Sequence, residues 1–214
     1  MRNAILSPVE FRQLREDLFH LLLLYSYEWR DKAFVLKSAA QSNMYVDCRQ
    51  TTLTAEGATL VGRLFLHIIA KKQPNVQGVG GLTMGADPIV TAVTSAALLS
   101  DNNLIKNGYL VRSSEKDHGK SGLVVGPNRL KPCAEVVALD DVITSGTSTI
   151  QAICALSEER SFIVPLALAI VDREEQDALN RIKSETGIAD VIALFTLSEL
   201  REARCDHSRF LPLL

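Results

Sequence analysis

Short apolar runs alternate along the chain with stretches whose apolar residues recur at helical spacing, and the order of the two patterns predicts its architecture. Ser7-Pro8-Val9-Glu10 supplies a capping hydroxyl, a proline at the first helical position and a glutamate three residues after the cap. A helix is expected from there to about Leu24. Phe34-Val35-Leu36 and Met44-Tyr45-Val46 are short apolar runs separated by small and polar residues, the pattern of a hairpin. Tyr25, Tyr27 and Trp29 lie before the charged Arg30-Asp31-Lys32 turn and are read as aromatics that end the first helix and pack either that helix or a dimer contact.

Beyond Thr54, a candidate cap, apolar residues at Leu60, Val61, Leu64, Phe65, Ile68 and Ile69 give Glu56 to Lys71 one apolar helical face. Val76 to Gly81 then reads as a strand and glycine-rich turn, and Asp87-Pro88 as the cap and start of a helix through Ala97. Strands are expected at Tyr109–Val111, Leu123–Val125, Glu135–Leu139, Ile163–Val171 and Val191–Phe195. Helices are expected at about Thr147–Leu156 and Glu174–Glu185, the latter ended by Gly187, with a capping box at Thr196-x-x-Glu199. This alternation predicts an α/β fold, a mostly parallel central sheet with helices on both faces. No repeat or low-complexity linker divides the chain, so one domain over 1–214 is expected. Residues 1 to about 50 form an N-terminal elaboration, 51–203 the core and 204–214 a tail.

Composition changes this picture only by exclusion. The 214 residues are 47% hydrophobic and 22% charged, ordinary for a folded soluble protein. With 23 Lys plus Arg against 25 Asp plus Glu, the formal charge of -2 offers no general field for nucleic acid or an anionic membrane. An anionic ligand must therefore be held by a local cluster. Cys48, Cys133, Cys154 and Cys205 show neither zinc-ligand nor disulfide spacing and read as core filler in a reducing cytoplasm. The aliphatic run Leu21 to Leu24 is far short of a membrane span, so no membrane partner is expected. His20 and His67 lie on expected helices as isolated side chains, and Gly78-x-Gly80 lacks the third glycine of a dinucleotide fingerprint.

The chemistry concentrates in Val136-Val137-Ala138-Leu139-Asp140-Asp141-Val142-Ile143-Thr144-Ser145-Gly146-Thr147-Ser148. An apolar strand ends in two acids, and a hydroxyl-rich turn then opens a helix; ligands of open α/β sheets bind beyond such strand ends. Unpaired N–H groups and the positive end of the helix dipole, with the hydroxyls of Thr144, Ser145, Thr147 and Ser148, suit a phosphate. Gly146 lets the backbone come close. The two acids would repel that phosphate unless they address hydroxyls or Mg²⁺, both of which a phosphorylated sugar provides. The same residues also fit a plain strand end followed by a helix cap.

This segment resembles the phosphoribosyl-pyrophosphate motif of the type I phosphoribosyltransferases. Phe34-Val35-Leu36-Lys37-Ser38 with Ser42 to Arg49, Glu56-Gly57-Ala58, Arg112 through Lys116-Asp117-His118-Gly119, and Val171-Asp172-Arg173 narrow the likeness to the orotate phosphoribosyltransferases over roughly residues 10 to 203. The resemblance implies the type I fold with an N-terminal hood and a mobile catalytic loop. It also implies a homodimer whose loop reaches the neighbouring subunit's site, and a reaction of orotate with 5-phosphoribosyl 1-pyrophosphate assisted by substrate-borne Mg²⁺.

Residue by residue, the likeness assigns Thr144, Ser145, Gly146, Thr147 and Ser148 to the 5-phosphate and Asp140 and Asp141 to the ribose hydroxyls. Arg112, Lys116 and His118 fall on the loop, with Lys116 the leading catalytic candidate. Gly85 belongs to the pyrophosphate turn, while Lys37, Tyr45, Val46, Thr144 and Arg173 are assigned to orotate. An Arg after a strand is otherwise commonly a surface ion-pair partner. Two places depart from the family pattern: Ser113 stands where members often carry a lysine, and Met84-Gly85 where some carry an aromatic residue and a lysine. Action on another base, or donor binding without turnover, are the other functions compatible with the motif.

Overall fold

The computed structural model describes residues 4–35, 41–100, 104–114 and 122–205, with side chains at all of these except 29–35, 41, 42 and 205. Helix α1 (Pro8–Leu21) starts as its cap residues dictate: Ser7 N–H donates to Glu10 Oε2 (2.9 Å) and Glu10 N–H to Ser7 Oγ (3.3 Å). It passes into a π-helical turn over Leu22–Ser26 and then into β1 (Tyr27–Val35), which pairs antiparallel with β2 (Gln41–Val46). Tyr27 and Trp29 therefore lie on a strand and do not end the helix. The backbone must turn extended at Tyr27 to pair with Val46.

A short α2 (Arg49–Thr52), absent from the expected elements, precedes α3 (Ala55–Lys72). Thr54 caps α3 as expected, accepting from Gly57 N–H (3.0 Å). Strand β3 (Gly78–Leu82) leads to α4 (Ala86–Leu98), whose N-cap position is taken by Gly85, with Asp87 inside the first turn instead of capping it. β4 (Asn107–Val111), β5 (Val124–Val125) and β6 (Val136–Ile143) follow, then α5 (Thr147–Arg160) and β7 (Leu166–Asp172). β7 begins later than the apolar run because Pro165 has no N–H to give a ladder; upstream, Ile163 makes only an isolated bridge with Glu135. α6 (Ala178–Thr186) also starts late, since Glu174, Gln176 and Asp177 have positive φ and form a turn. Gly187 ends it at φ 73°. β8 (Asp190–Thr196) and α7 (Leu197–Cys205) complete the described chain, and the expected box is present: Thr196 N–H donates to Glu199 Oε2 (2.8 Å) and Glu199 N–H to Thr196 Oγ1 (3.2 Å).

The main sheet has the order β5-β4-β3-β6-β7-β8, parallel except for β5. Side chains of successive strand residues alternate between its faces. Val137 and Leu139 join the buried cluster with α1, α3 and α4, whereas Val136 and Ala138 join the one built with α5 and α6. A strand covered on both sides is continuously apolar until it reaches the edge of its cover, so the change from Leu139 to Asp140 marks where β6 emerges. α1 is tied to the far edge: Arg15 lies 4.4 Å over the Phe195 ring and donates to Leu194 O (2.9 Å). His67 accepts from Leu6 N–H (2.9 Å) and stacks on Phe11, a structural role. Cys48 is buried as expected, but Cys133 is exposed at φ 65°, placed by a turn and not by packing.

Thr54→Ala leaves the first turn of α3 without its side-chain cap and is expected to lower stability by about 1 kcal/mol, with Thr54→Asp retaining most of it. Urea unfolding of the variants measures both; equal midpoints for wild type and Thr54→Ala would show that the cap contributes nothing.

Candidate active site

Three strand ends converge at the carboxyl edge of the sheet: β3 with its turn into α4, β6 with its turn into α5, and β7. Asp140 is 5% exposed. Its Oδ2 accepts from Thr149 Oγ1 (2.6 Å) and its Oδ1 from Asp141 N–H (2.9 Å), so this carboxyl is held from behind by α5 and by the backbone. Asp141 is the more accessible of the pair; its Oδ1 accepts from Val142 N–H (2.9 Å). Burial, and then the charge of Asp141, push the Asp140 carboxyl up from 3.8 to about 7. Burial also raises Asp141, opposed by its hydrogen bonds and by the positive charge of Arg49.

Beyond Ile143 the chain carries Thr144, Ser145, Gly146, Thr147 and Ser148 around the start of α5, as expected. Thr144, Thr147 and Ser148 are exposed, and Ser145 Oγ lies 3.0 Å from Thr147 Oγ1. Gly146 takes the N-cap position at φ 79° with no side-chain cap, which leaves first-turn N–H groups of α5 for a ligand. The left-handed backbone there favours glycine, and a Cβ would in addition stand 2.8 Å from Ile182 Cγ1 of α6.

The β3–α4 turn faces Asp141 directly. A Cβ on Gly85 would stand 2.3 Å from Asp141 Oδ1, so no side chain fits at Gly85 without displacing the carboxylate. The Thr83–Met84 peptide in the turn is cis, and Met84 is exposed.

Arg173 follows β7. Its N–H donates to Ile143 O (2.9 Å), which sets it beside Thr144, and its side chain is 5% exposed and paired with Glu175 Oε1 at 2.8 Å. It is thus a buried arginine at the strand end, and its ion-pair partner Glu175 is the more exposed of the two. Tyr45 is partly exposed and Val46 buried on β2. The chain leaving them reaches the acids: Cys48 is fully buried and its thiol is raised by burial and by the charges of Asp141, Asp47 and Asp140. Arg112 lies at the end of β4, its N–H donating to Leu123 O (2.9 Å). Lys37, Lys116 and His118 lie outside the described residues.

Two arginines that sequence reading passed over stand at this edge. Arg49 Nε donates to Asp47 Oδ1 (2.7 Å), and its charge acts on Asp141 and Tyr45. Arg181 of α6 donates from Nη1 to Ser145 O (2.9 Å) and to Thr147 Oγ1 (3.2 Å). The available signal for Arg49 was its place in the Asp47-Cys48-Arg49 stretch. For Arg181 none existed, because Arg181 and Glu185 at i,i+4 read as an ordinary exposed helical pair.

The raised Asp140 carboxyl fixes the sign of a stability change with pH. The folded state binds this proton more tightly than the unfolded chain, so its penalty is absent below about pH 4 and grows as pH rises through about 7. Asp140→Asn is therefore expected to raise the thermal midpoint at pH 8, of the order of 5 °C, and to leave it nearly unchanged at pH 4. A calorimetric pH series measures this, and an equal effect at both pH values would contradict it.

No protein-family model matches the chain. It is 40% identical over 161 residues to the orotate phosphoribosyltransferase of Thermosynechococcus vestitus, covering 75% of this chain and 80% of that one. Identity to the Synechocystis enzyme of the same name is 33% over 199 residues, covering 93% and 94%. Among solved structures, the Mycobacterium tuberculosis orotate phosphoribosyltransferase in complex with Fe(III) dicitrate superposes with a TM-score of 0.71 at 29% identity, over 87% of this chain and 98% of that one. The same mycobacterial enzyme in complex with 5-phospho-alpha-D-ribosyl 1-diphosphate gives 0.66 at 26% identity, over 88% and 92%. With an acidic strand end, an uncapped helix and a buried strand-end arginine meeting at one sheet edge, and relatives of this identity spanning nearly its whole length, the chain belongs to the orotate phosphoribosyltransferase family of pentosyltransferases.

Proposed function

We propose that the chain joins orotate to the ribosyl group of 5-phosphoribosyl 1-pyrophosphate, forming orotidine 5'-monophosphate and pyrophosphate. The observation that carries this reading is the meeting of Asp140-Asp141 with the uncapped start of α5 across from the Gly85 turn, with Arg173 beside Thr144. The 5-phosphate is assigned to the N–H groups of α5 and the hydroxyls of Thr144, Ser145, Thr147 and Ser148. The ribose hydroxyls donate to Asp141 and, behind it, Asp140. Orotate presents a carboxylate and imide groups that are costly to leave unpaired, and Arg173, Lys37, Thr144 and the backbone around Tyr45 and Val46 are assigned to them.

N1 of orotate, releasing its proton to solvent, attacks C1 of the sugar with inversion, and the C1–O bond to pyrophosphate breaks. The sugar becomes cationic as the leaving group gains charge, so the barrier falls by positioning and by cations placed where that charge grows. Arg112, Lys116 and His118 are assigned this task, with Gly85 bringing backbone close to the pyrophosphate. Two adjacent carboxylates supply hard oxygen donors without a closed cage, which suits Mg²⁺ keeping most of its ligands from substrate and water. Carried in by the substrate, Mg²⁺ would offset the charge of the pyrophosphate. Ionised Asp140 and Asp141 accept the ribose hydroxyls, so donor affinity is expected to rise as pH increases through about 7.

A homodimer in the cytoplasm, with the segment bearing Lys116 serving the neighbouring site, completes the proposal. Supporting the dimer, an apolar groove of 540 Å³ lies between α3 and α4, with Leu6, Leu53, Leu66 and Leu99 in its lining. Leu53 and Leu99 are 74% and 70% exposed. No helix among the described residues is long and apolar enough to cross a membrane.

Two measurements test these statements. Loss of orotate absorbance is expected only with donor and Mg²⁺ present, falling at least about 100-fold in Lys116→Ala and in Arg173→Ala. Donor binding without orotate loss would reject the base assignment. Leu53→Arg combined with Leu99→Arg is expected to convert a dimer to a monomer in sedimentation, and an unchanged mass would place the subunit contact elsewhere.

A further inference from the structure

Resting on the assignment of the α5 start to the 5-phosphate, we propose that Arg181 is a positioning residue of that subsite. It shapes the turn and sets a positive charge behind Thr147, so that this chain grips a phosphorylated sugar with a cation as well as with amides and hydroxyls. Nη1 is shared between Ser145 O at 2.9 Å and Thr147 Oγ1 at 3.2 Å, while Nε donates to Glu185 Oε1 at 2.7 Å. Glu185 thus orients the guanidinium from the far side and offsets part of its charge.

Each contact has a consequence for the cradle. In a planar trans peptide the C=O and N–H point to opposite sides. Holding Ser145 O toward Arg181 therefore turns the N–H of Gly146 away from α6. An arginine N–H given to Thr147 Oγ1 occupies an acceptor site of that hydroxyl and leaves its single hydrogen for Ser145 Oγ, 3.0 Å away, or for an entering phosphate oxygen. A hydroxyl polarised in this way is a stronger donor.

The guanidinium is also kept in register. α6 packs on the turn so closely that a Cβ at Gly146 would meet Ile182 Cγ1 at 2.8 Å and Ala178 O at 3.3 Å. Ile182, the next residue after Arg181, is fully buried. Small movements of α6 are therefore resisted by packing, and Arg181 keeps its place over the turn.

The test compares wild type, Arg181→Met and Arg181→Lys in calorimetric titrations with orotidine 5'-monophosphate, with orotidine, and with the pyrophosphate donor plus Mg²⁺. Steady-state KM values and thermal midpoints are measured alongside. Arg181→Met is expected to weaken both phosphorylated ligands about tenfold, to leave orotidine and the KM for orotate within about twofold, and to be partly rescued in Arg181→Lys. Unchanged affinity for the phosphorylated ligands would overturn the proposal. So would equal losses for orotidine and its monophosphate, or a lysine variant no better than methionine, since these mark a purely structural tie. Should wild type bind the donor yet leave orotate unconsumed, the base assignment falls while the donor titrations still decide the role of Arg181. Wild type that fails to bind the donor overturns both.

Discussion

Asp140 and Asp141 sit side by side at the end of a strand covered on both faces, and the elements around them are arranged to tolerate that charge. Desolvation and mutual repulsion favour the protonated forms. Against this, Thr149 donates from the first turns of α5, the local backbone donates to both carboxyls, and Arg49 brings a positive charge from α2. Even so held, the ionised pair is costly to the fold at neutral pH, because burial still pushes the Asp140 carboxyl up to about 7.

That constraint explains much of the local chain. Gly85 lies against Asp141, so a side chain begun there would require the carboxylate to move. Gly146 is a glycine because the turn adopts φ 79° and α6 lies against it. Cys48 fills the space behind the acids with a small group that stays neutral there, its thiol pushed upward by their charges. Lysines found in some family members at the Gly85 and Ser113 positions are absent, and the described cations near the acids and the hydroxyl turn are instead Arg49, Arg173 and Arg181, from three different elements.

Much of the fold was legible because its signals are local. The Ser7–Glu10 and Thr196–Glu199 boxes and the Thr54 cap are bonds between residues three apart, and Gly187 ends α6 through its own backbone freedom. The misreadings came where tertiary pairing overrode a local pattern. Tyr27 and Trp29 read in sequence as the aromatic end of the first helix, yet the chain turns extended there to pair with β2. Asp87 has the chemistry of a cap, but the helix starts two residues earlier, with Gly85 at the cap beside Asp141. Pro165 delays β7, a consequence visible only once its ladder partners are known.

The sequence by itself determined the alternation of strand and helix, the acidic strand end and the hydroxyl turn, because each is written in neighbouring residues. It also carried the buried strand-end arginine as a motif, though not its burial. Only the tertiary structure decided that Gly85 abuts Asp141, that Thr149 holds Asp140, and that Arg181, 36 residues on from Ser145, reaches the hydroxyl turn. These contacts join strands and helices that are adjacent in space through sheet order and helix packing. No local periodicity encodes which side chain of one element will face which atom of another.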